Sequence, residues 1–303
     1  MTKTLVIGAT GFTGSYVVPR LLEQGYHVRC LVRSPGGLHH LPINEVELVR
    51  GDMDDGESLS RALHSVDVLV NIASIGFGHA PGIVAATLAS GVSRALFLST
   101  TAIFTTLNAP SKVVREAAES SIQTSGLAYT ILRPTMIYGS SRDRNMCRLV
   151  RYVQRWPVIP IFGDGEFLQQ PVYVDDVAQA VVQALAAPET VNQAYNIAGY
   201  APLTYNQVID TVCALMEKQI HKLHMPVAPI VAVLQVLERI GLRLPLKAEQ
   251  ILRLNEHKTF DYTAAAKDFG YAPRSFADGM KLELAEMGIL HQEKGKTKKR
   301  EQR

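Results

Sequence analysis

The residues best placed to do chemistry lie near the start of the chain: Gly8-Ala9-Thr10-Gly11-Phe12-Thr13-Gly14, with glycines spaced G-x-x-G-x-x-G. Glycine permits a tight turn and lets backbone N–H groups approach a phosphate, while the N-terminus of a following helix faces the anion. The pattern follows a β-branched run and opens a helical one, the context that makes it a dinucleotide-binding fingerprint. About twenty residues on, where a carboxylate would bind a ribose 2′-hydroxyl, the chain reads Leu31-Val32-Arg33-Ser34. No acid stands there. Arg33 can pair with a 2′-phosphate and Ser34 can add a hydrogen bond, so NADP is expected in preference to NAD. Farther along, Gly51-Asp52-Met53 offers a short carboxylate and an apolar neighbour for an adenine, and Asn71-Ile72-Ala73-Ser74 ends a fourth strand. Ala73 and Ser74 then sit at the carboxyl edge, where ligands of parallel sheets lie.

These residues need a sheet to hold them, and the first 135 residues supply one. Six short apolar runs read as strands buried on both faces: Thr4–Ile7, His27–Val32, Val46–Arg50, Val68–Asn71, Ala95–Leu98 and Tyr129–Leu132. Helical patterns fill the gaps at Phe12–Gln24, Gly56–His64, Pro81–Ser90 and Ser111–Thr124. Right-handed crossovers make this an α/β fold with a doubly wound, Rossmann-type parallel sheet. Beyond Gly139 the alternation gives way to shorter pieces: Pro171–Val174, Asp175–Ala186, Ala194–Ile197, Tyr205–Lys218 and several helices after Pro226. The expected organisation is a dinucleotide-binding domain over residues 1–160, a smaller mixed α/β substrate region over 161–290, and a basic tail over 291–303.

Several segments together resemble the extended short-chain dehydrogenases/reductases, which include the NAD-dependent epimerases and dehydratases. They are Gly8 to Gly14, Gly51-Asp52, Leu132-Arg133-Pro134 with Ile137-Tyr138-Gly139, Pro171-Val172-Tyr173-Val174-Asp175-Asp176-Val177-Ala178, and Phe269-Gly270-Tyr271-Ala272-Pro273. The resemblance implies hydride transfer on a carbonyl or alcohol, with a nucleotide sugar among the candidate substrates. It also implies a catalytic set of Tyr, a Lys four residues later and a hydroxyl residue. A free phenol, with a pKa near ~10, is a poor base at neutral pH without a nearby cation. Lys112 aligns with the family's Lys and would hold the nicotinamide ribose, and Thr101, after Ser99 and Thr100, would orient the substrate. Pro134, Thr135, Met136 and Ile137 would wall the nicotinamide pocket.

The expected Tyr position is Asn108, and an amide does not exchange a proton at neutral pH as a phenol can. The runs Ser111-Lys112-Val113-Val114-Arg115-Glu116 and Ser125 to Thr135 are more similar to atypical members of the family. Among these are NmrA-like sensors, isoflavone-reductase-like enzymes and the nucleotide-binding accessory subunit of respiratory complex I. Resemblance therefore implies cofactor binding more strongly than turnover, and the alternative is a non-catalytic dinucleotide-binding sensor or assembly factor. Tyr138, Tyr173 and a desolvated Lys112 are candidate stand-ins for the missing acid/base. Tyr138 and Tyr173 also read simply as packed residues, and Asp175 as a helix cap.

Composition agrees with one enzyme-sized globular unit: 303 residues, 47% hydrophobic and 19% charged. The formal charge is +3. Residues 293–303 carry six cations against two anions, so the basicity is a property of the tail and no nucleic-acid partner is expected. Such a tail reads as a solvated end. Cys30, Cys147 and Cys213 lack metal spacing, no secretory signal opens the chain, and a reducing cytoplasm is expected. The nine histidines form no metal pattern and the G-x-S-x-G elbow of hydrolases is absent. The apolar stretch from Pro226 to Leu242 is broken by Glu238 and Arg239 and is too short to span a bilayer. It is expected to be a packing helix, with interfacial attachment or protein docking as alternatives.

Overall fold

A computed structural model describes residues 2–107, 109–242 and 247–290. The first half alternates as its hydrophobic pattern requires: β1 (Lys3–Ile7), α1 (Gly14–Glu23), β2 (His27–Val32), β3 (Glu47–Arg50), α2 (Gly56–Leu63), β4 (Val68–Asn71), α3 (Ala80–Ala89), β5 (Arg94–Leu98), α4 (Pro110–Gln123) and β6 (Tyr129–Pro134). Each strand sends alternate side chains to opposite faces. On β1, Val6 enters the core under α1 while Leu5 and Ile7 enter the core under α2, α3 and α4. On β5, Leu96 and Leu98 face the first core, and Ala95 and Phe97 the second. Burial on both faces is why these strands carry apolar runs; the exception is β3, expected to be buried likewise, which lies at the sheet edge and has Leu48 and Arg50 exposed.

The second half runs β7 (Ile137–Tyr138), α5 (Met146–Arg155), β8 (Val158–Phe162), β9 (Leu168–Gln169), β10 (Val172–Tyr173), α6 (Val174–Ala186), β11 (Gln193–Ile197), β12 (Leu203–Thr204), α7 (Tyr205–Leu215), β13 (His221–Met225), α8 (Val227–Arg239), α9 (Ala248–Leu254), α10 (Thr263–Phe269) and α11 (Phe276–Glu286). The main sheet has seven strands in the order β11-β6-β5-β4-β1-β2-β3, and its neighbours are all parallel. Its edge strand β11 therefore comes from beyond residue 160. So does α6, which packs against α1 in the same core. The strand order reverses between β1 and β4, and a ligand crevice is expected at that switch point.

The remaining elements form a third core, where α5, α7 and α11 enclose Tyr138, Tyr173 and Phe276. Paired short strands, β7 with β10, β8 with β13 and β9 with β12, brace this region. Asp175 fastens it to α1 of the first half. It is not the cap of α6, which begins one residue earlier with Tyr173 at the N-cap. Its carboxylate instead accepts from Arg20 Nε and Nη2, both at 2.9 Å, and from Arg274 Nη2 at 3.1 Å. Tyr173 lies under the Arg274 guanidinium, 4.4 Å from ring centroid to Cζ.

The stretch from Pro226 to Leu242 packs on one side only. Val231 of α8 is buried against Ala248 and Ile251 of α9, but Val233, Val236, Ile240 and Leu242 are each more than half exposed. No described helix is long and apolar enough to cross a membrane. The basic tail lies outside the described residues.

Candidate functional site

The glycine loop joins β1 to α1 at the switch point, and its three glycines are needed for different reasons. Gly8 has φ +86°, and a Cβ there would stand 2.7 Å from the Ala73 nitrogen. Any Cβ on Gly14 would meet the Gly8 carbonyl oxygen at 2.2 Å, so these two glycines let the loop pass close to β4 and to itself. Gly11 differs, because a Cβ there would have only the Gly8 oxygen nearby, at 3.1 Å. Its bare face is open space. No side chain caps α1 and no acid stands in its first turn, so the helix N-terminus presents an uncompensated partial positive charge to that space. This is a cradle suited to a pyrophosphate.

A groove of about 910 Å³ runs along the cradle, within the roughly 300–1,000 Å³ usual for ligand clefts. It gathers Gly8, Thr10, Gly11, Phe12, Thr13 and Gly14, and beside them Arg33, Ser34, Met53, Ala73, Ser74 and Ile137. Arg33 and Ser34 follow β2 at one end, beside a turn in which Gly37 (φ +81°) packs on Thr10. Among the described residues the groove wall holds one carboxylate, Asp143, which lies on a different segment from Arg33.

Other candidates fall elsewhere. Asp52 does not line the groove; its Oδ1 accepts from the Asp54 amide at 3.2 Å and closes its own turn. Thr135 and Met136 belong with Thr100 and Thr101 to a second cavity of about 720 Å³. Thr101 is buried there, its hydroxyl donating weakly to the Pro134 carbonyl at 3.4 Å, so Pro134 supports this wall by its backbone. Lys112 reaches neither space. Its Nζ donates to the Thr105 carbonyl at 2.8 Å and stands 3.9 Å from Glu116. Asn108 lies outside the described residues.

The stand-ins for the missing acid/base do not reach the groove either. Tyr138 is 1% exposed and donates to the Phe276 carbonyl at 3.2 Å, and Tyr173 is buried beside it. Burial pushes both phenols well above the usual tyrosine range, the opposite of what a base at neutral pH needs. Both are packing residues. Ser99 is also occupied: its hydroxyl donates to Glu119, whose carboxylate accepts from Arg133 Nε at 3.0 Å.

Sequence reasoning missed the loop over residues 139–145. Gly139, at φ +140°, could carry no Cβ without meeting the Tyr173 ring at 2.7 Å, and from there the chain turns across the glycine loop. Arg142 donates to the Ser15 hydroxyl and to the Thr10 carbonyl, both at 2.9 Å, and so places a cation over the cradle. Asn145 lines the groove and both neighbouring cavities. Beyond Gly139 the loop has no motif or periodicity that could have marked it.

The chain belongs to the NAD(P)H-binding family, whose model matches residues 8–188. Among its curated relatives is the mitochondrial NADH dehydrogenase [ubiquinone] 1 alpha subcomplex subunit 9 of Dictyostelium discoideum. That protein is 28% identical over 241 residues, which cover 74% of this chain and 66% of the relative. A 2-alkyl-3-oxoalkanoate reductase of Shewanella oneidensis is 26% identical, over 93% of this chain and 85% of the reductase. The fold is shared with the UDP-glucuronic acid 4-epimerase of Bacillus cereus solved with NAD, at a TM-score of 0.76 and 19% identity, covering 95% of this chain and 99% of that one. These likenesses bear out the resemblance to atypical short-chain dehydrogenases/reductases and the Rossmann-type sheet.

Proposed function

We propose that the protein is an NADP-preferring oxidoreductase that transfers hydride between the dinucleotide and a carbonyl or alcohol. The observation that carries this reading is the groove itself. An open cradle under Gly11, an uncapped helix N-terminus, and Arg33 with Ser34 line one groove, whose wall among the described residues holds no carboxylate but Asp143. In this reading Gly8, Gly11 and Gly14 hold the pyrophosphate with help from Arg142, Arg33 and Ser34 hold the 2′-phosphate, and Met53 covers the adenine. When bound, the nicotinamide supplies or accepts the hydride. Thr101, buried in the lining of the second cavity, orients the substrate oxygen, and Ile137 lines the groove. The reading is of a cytoplasmic protein, and the three buried free thiols are compatible with it.

The test is consumption of NADPH by the full-length protein against a panel of ketones and aldehydes. Turnover is expected, and Thr101→Val should lower kcat/KM by about 10²-fold with NADPH affinity unchanged. A second reading, a dinucleotide-binding sensor or assembly factor, is favoured by Lys112 and the two tyrosines lying away from the groove. NADPH binding without consumption of any carbonyl would select it. A nucleotide sugar and a protein docked on the exposed side of α8 remain the corresponding proposals for a partner.

A further inference from the structure

Beyond the groove, at Asn145, lie the cavity that contains Thr101 and a neighbouring one of about 500 Å³. The two share Met136, Arg253 and Lys258. The lining of the smaller cavity includes the largely apolar side chains of Leu149, Tyr152, Ile159, Tyr205 and Val208. It also includes four cations, of which Arg253 and Lys258 are half-buried and Arg144 and Arg148 exposed. No Asp or Glu among the described residues lines it.

The half-buried cations keep donors to spare. Lys258 Nζ donates to the Arg253 carbonyl and, at 3.4 Å, to Gln169 Oε1. An ammonium has three N–H groups, so one is left without an acceptor among the described residues. Arg253 Nη2 pairs with Glu249 at 2.7 Å, but its Nε is buried and has no acceptor among the described residues. Glu256, the carboxylate of the adjoining cavity, is already engaged: it accepts from Thr105 Oγ1 at 2.8 Å, the Thr106 amide at 2.6 Å and Thr106 Oγ1 at 2.9 Å. Burial lowers Lys258 to about 8 despite the opposing charge of nearby Glu256, whose oxygens are engaged with Thr105 and Thr106. Unpaired donors beside apolar side chains favour a ligand that supplies both the missing anion and the apolar surface.

We propose that these cavities hold an aliphatic carboxylate, its chain against Leu149, Ile159 and Val208 and its carboxylate on Lys258 and Arg253. This names the substrate class for the hydride-transfer reading and rests on it, because the reducible carbon must then lie toward Thr101. A nucleotide sugar suits the walls less well. Its diphosphate would meet the same cations, but its sugar and ribose would set many hydroxyls against Leu149, Ile159 and Val208, where an aliphatic chain leaves no polar group unpaired.

The experiment is calorimetric titration of full-length, NADPH-loaded protein with octanoate, 1-octanol and UDP-glucose. Octanoate should bind saturably and 1-octanol at least ~10-fold more weakly, as expected for a charge-assisted contact. Lys258→Met should weaken octanoate at least ~10-fold while leaving 1-octanol and NADPH unchanged. Arg148→Gln, at an exposed position, provides a variant that does not disturb the interior and should weaken octanoate about 2- to 3-fold. Equal affinity for octanoate and 1-octanol, insensitivity to both substitutions, or binding of UDP-glucose in place of octanoate would each overturn the proposal. Loss of NADPH binding in the wild-type protein would count against the oxidoreductase reading instead, and octanoate can still be titrated in that case.

Discussion

The cofactor groove and the cavities behind it are neighbours made of different materials. Backbone shapes the groove: Gly8 and Gly14 allow a turn that no Cβ could enter, and α1 contributes its terminal N–H groups. Side chains from separate segments shape the cavities, with Thr101 after β5, Leu149 on α5, Val208 on α7, Arg253 on α9 and Lys258 beyond it. A backbone-built site has to be written as a short local motif. A side-chain-built site can be assembled from residues that have no neighbours in common along the chain. In the proposed reading, binding of the dinucleotide and choice of substrate are therefore separable, and substitutions should divide along the same line.

The largest effect should come where backbone space is fully used. Gly14→Val places a branched side chain against the Gly8 carbonyl and should abolish dinucleotide binding and destabilise the fold by several kcal/mol, on the order of 3 or more. Gly11→Ala is the informative partner. Its Cβ has only the Gly8 oxygen nearby, so thermal stability should stay within ~1 kcal/mol while NADPH affinity falls about 10-fold. Melting curves and titrations on the two variants check this. Equal losses of stability would mean that the cradle at Gly11 serves only the fold.

A smaller effect, of opposite sign, is expected in the core next to Asp143 of the groove wall. Glu283 of α11 is fully buried, and desolvation, reinforced by the charge of Asp143 on the groove-covering loop, pushes its carboxyl up to about 10. The folded protein thus keeps it protonated at neutral pH, while the unfolded chain ionises it near the ordinary carboxyl value of 4.5. A pKa raised by folding gives stability that is full below the unfolded value and lost as pH rises toward the folded one. Glu283→Gln should leave the melting temperature unchanged at pH 4 and raise it at pH 8, by about 1–3 kcal/mol of stability or several degrees. No gain at pH 8 would show that the carboxyl is ionised and compensated in the native state.

The same division explains what the sequence made legible. Strands β1, β2 and β4 to β6 were readable because burial on both faces favours apolar runs, whereas the edge strand β3 is partly exposed; each of the six lies within two residues of its expected bounds at either end. The switch-point crevice followed from the glycine spacing. That β11 closes the main sheet was not readable, since pairing between residues 129–134 and 193–197 is a long-range fact. Strand β13 was missed because His221-Lys222-Leu223-His224-Met225 is mostly exposed and polar and pairs only with β8. Asp52 and Lys112 were chosen by alignment to a pattern, and local hydrogen bonds occupy both. Arg142, Asn145 and Lys258 carried no local signal at all; only the packing of loops against α1 and α9 places them at the site.

The most direct test of the central claim is calorimetric titration of cofactor-stripped protein with NADP⁺, NADPH, NAD⁺ and NADH, repeated on Arg33→Ala. A phosphate clamp at Arg33 predicts tighter binding of NADP(H) than of NAD(H). The substitution should weaken NADPH by about 10- to 100-fold, the value of a charge-assisted hydrogen-bonded pair, and leave NADH nearly unchanged. Equal weakening of both forms, or no binding of any of the four, would contradict the account.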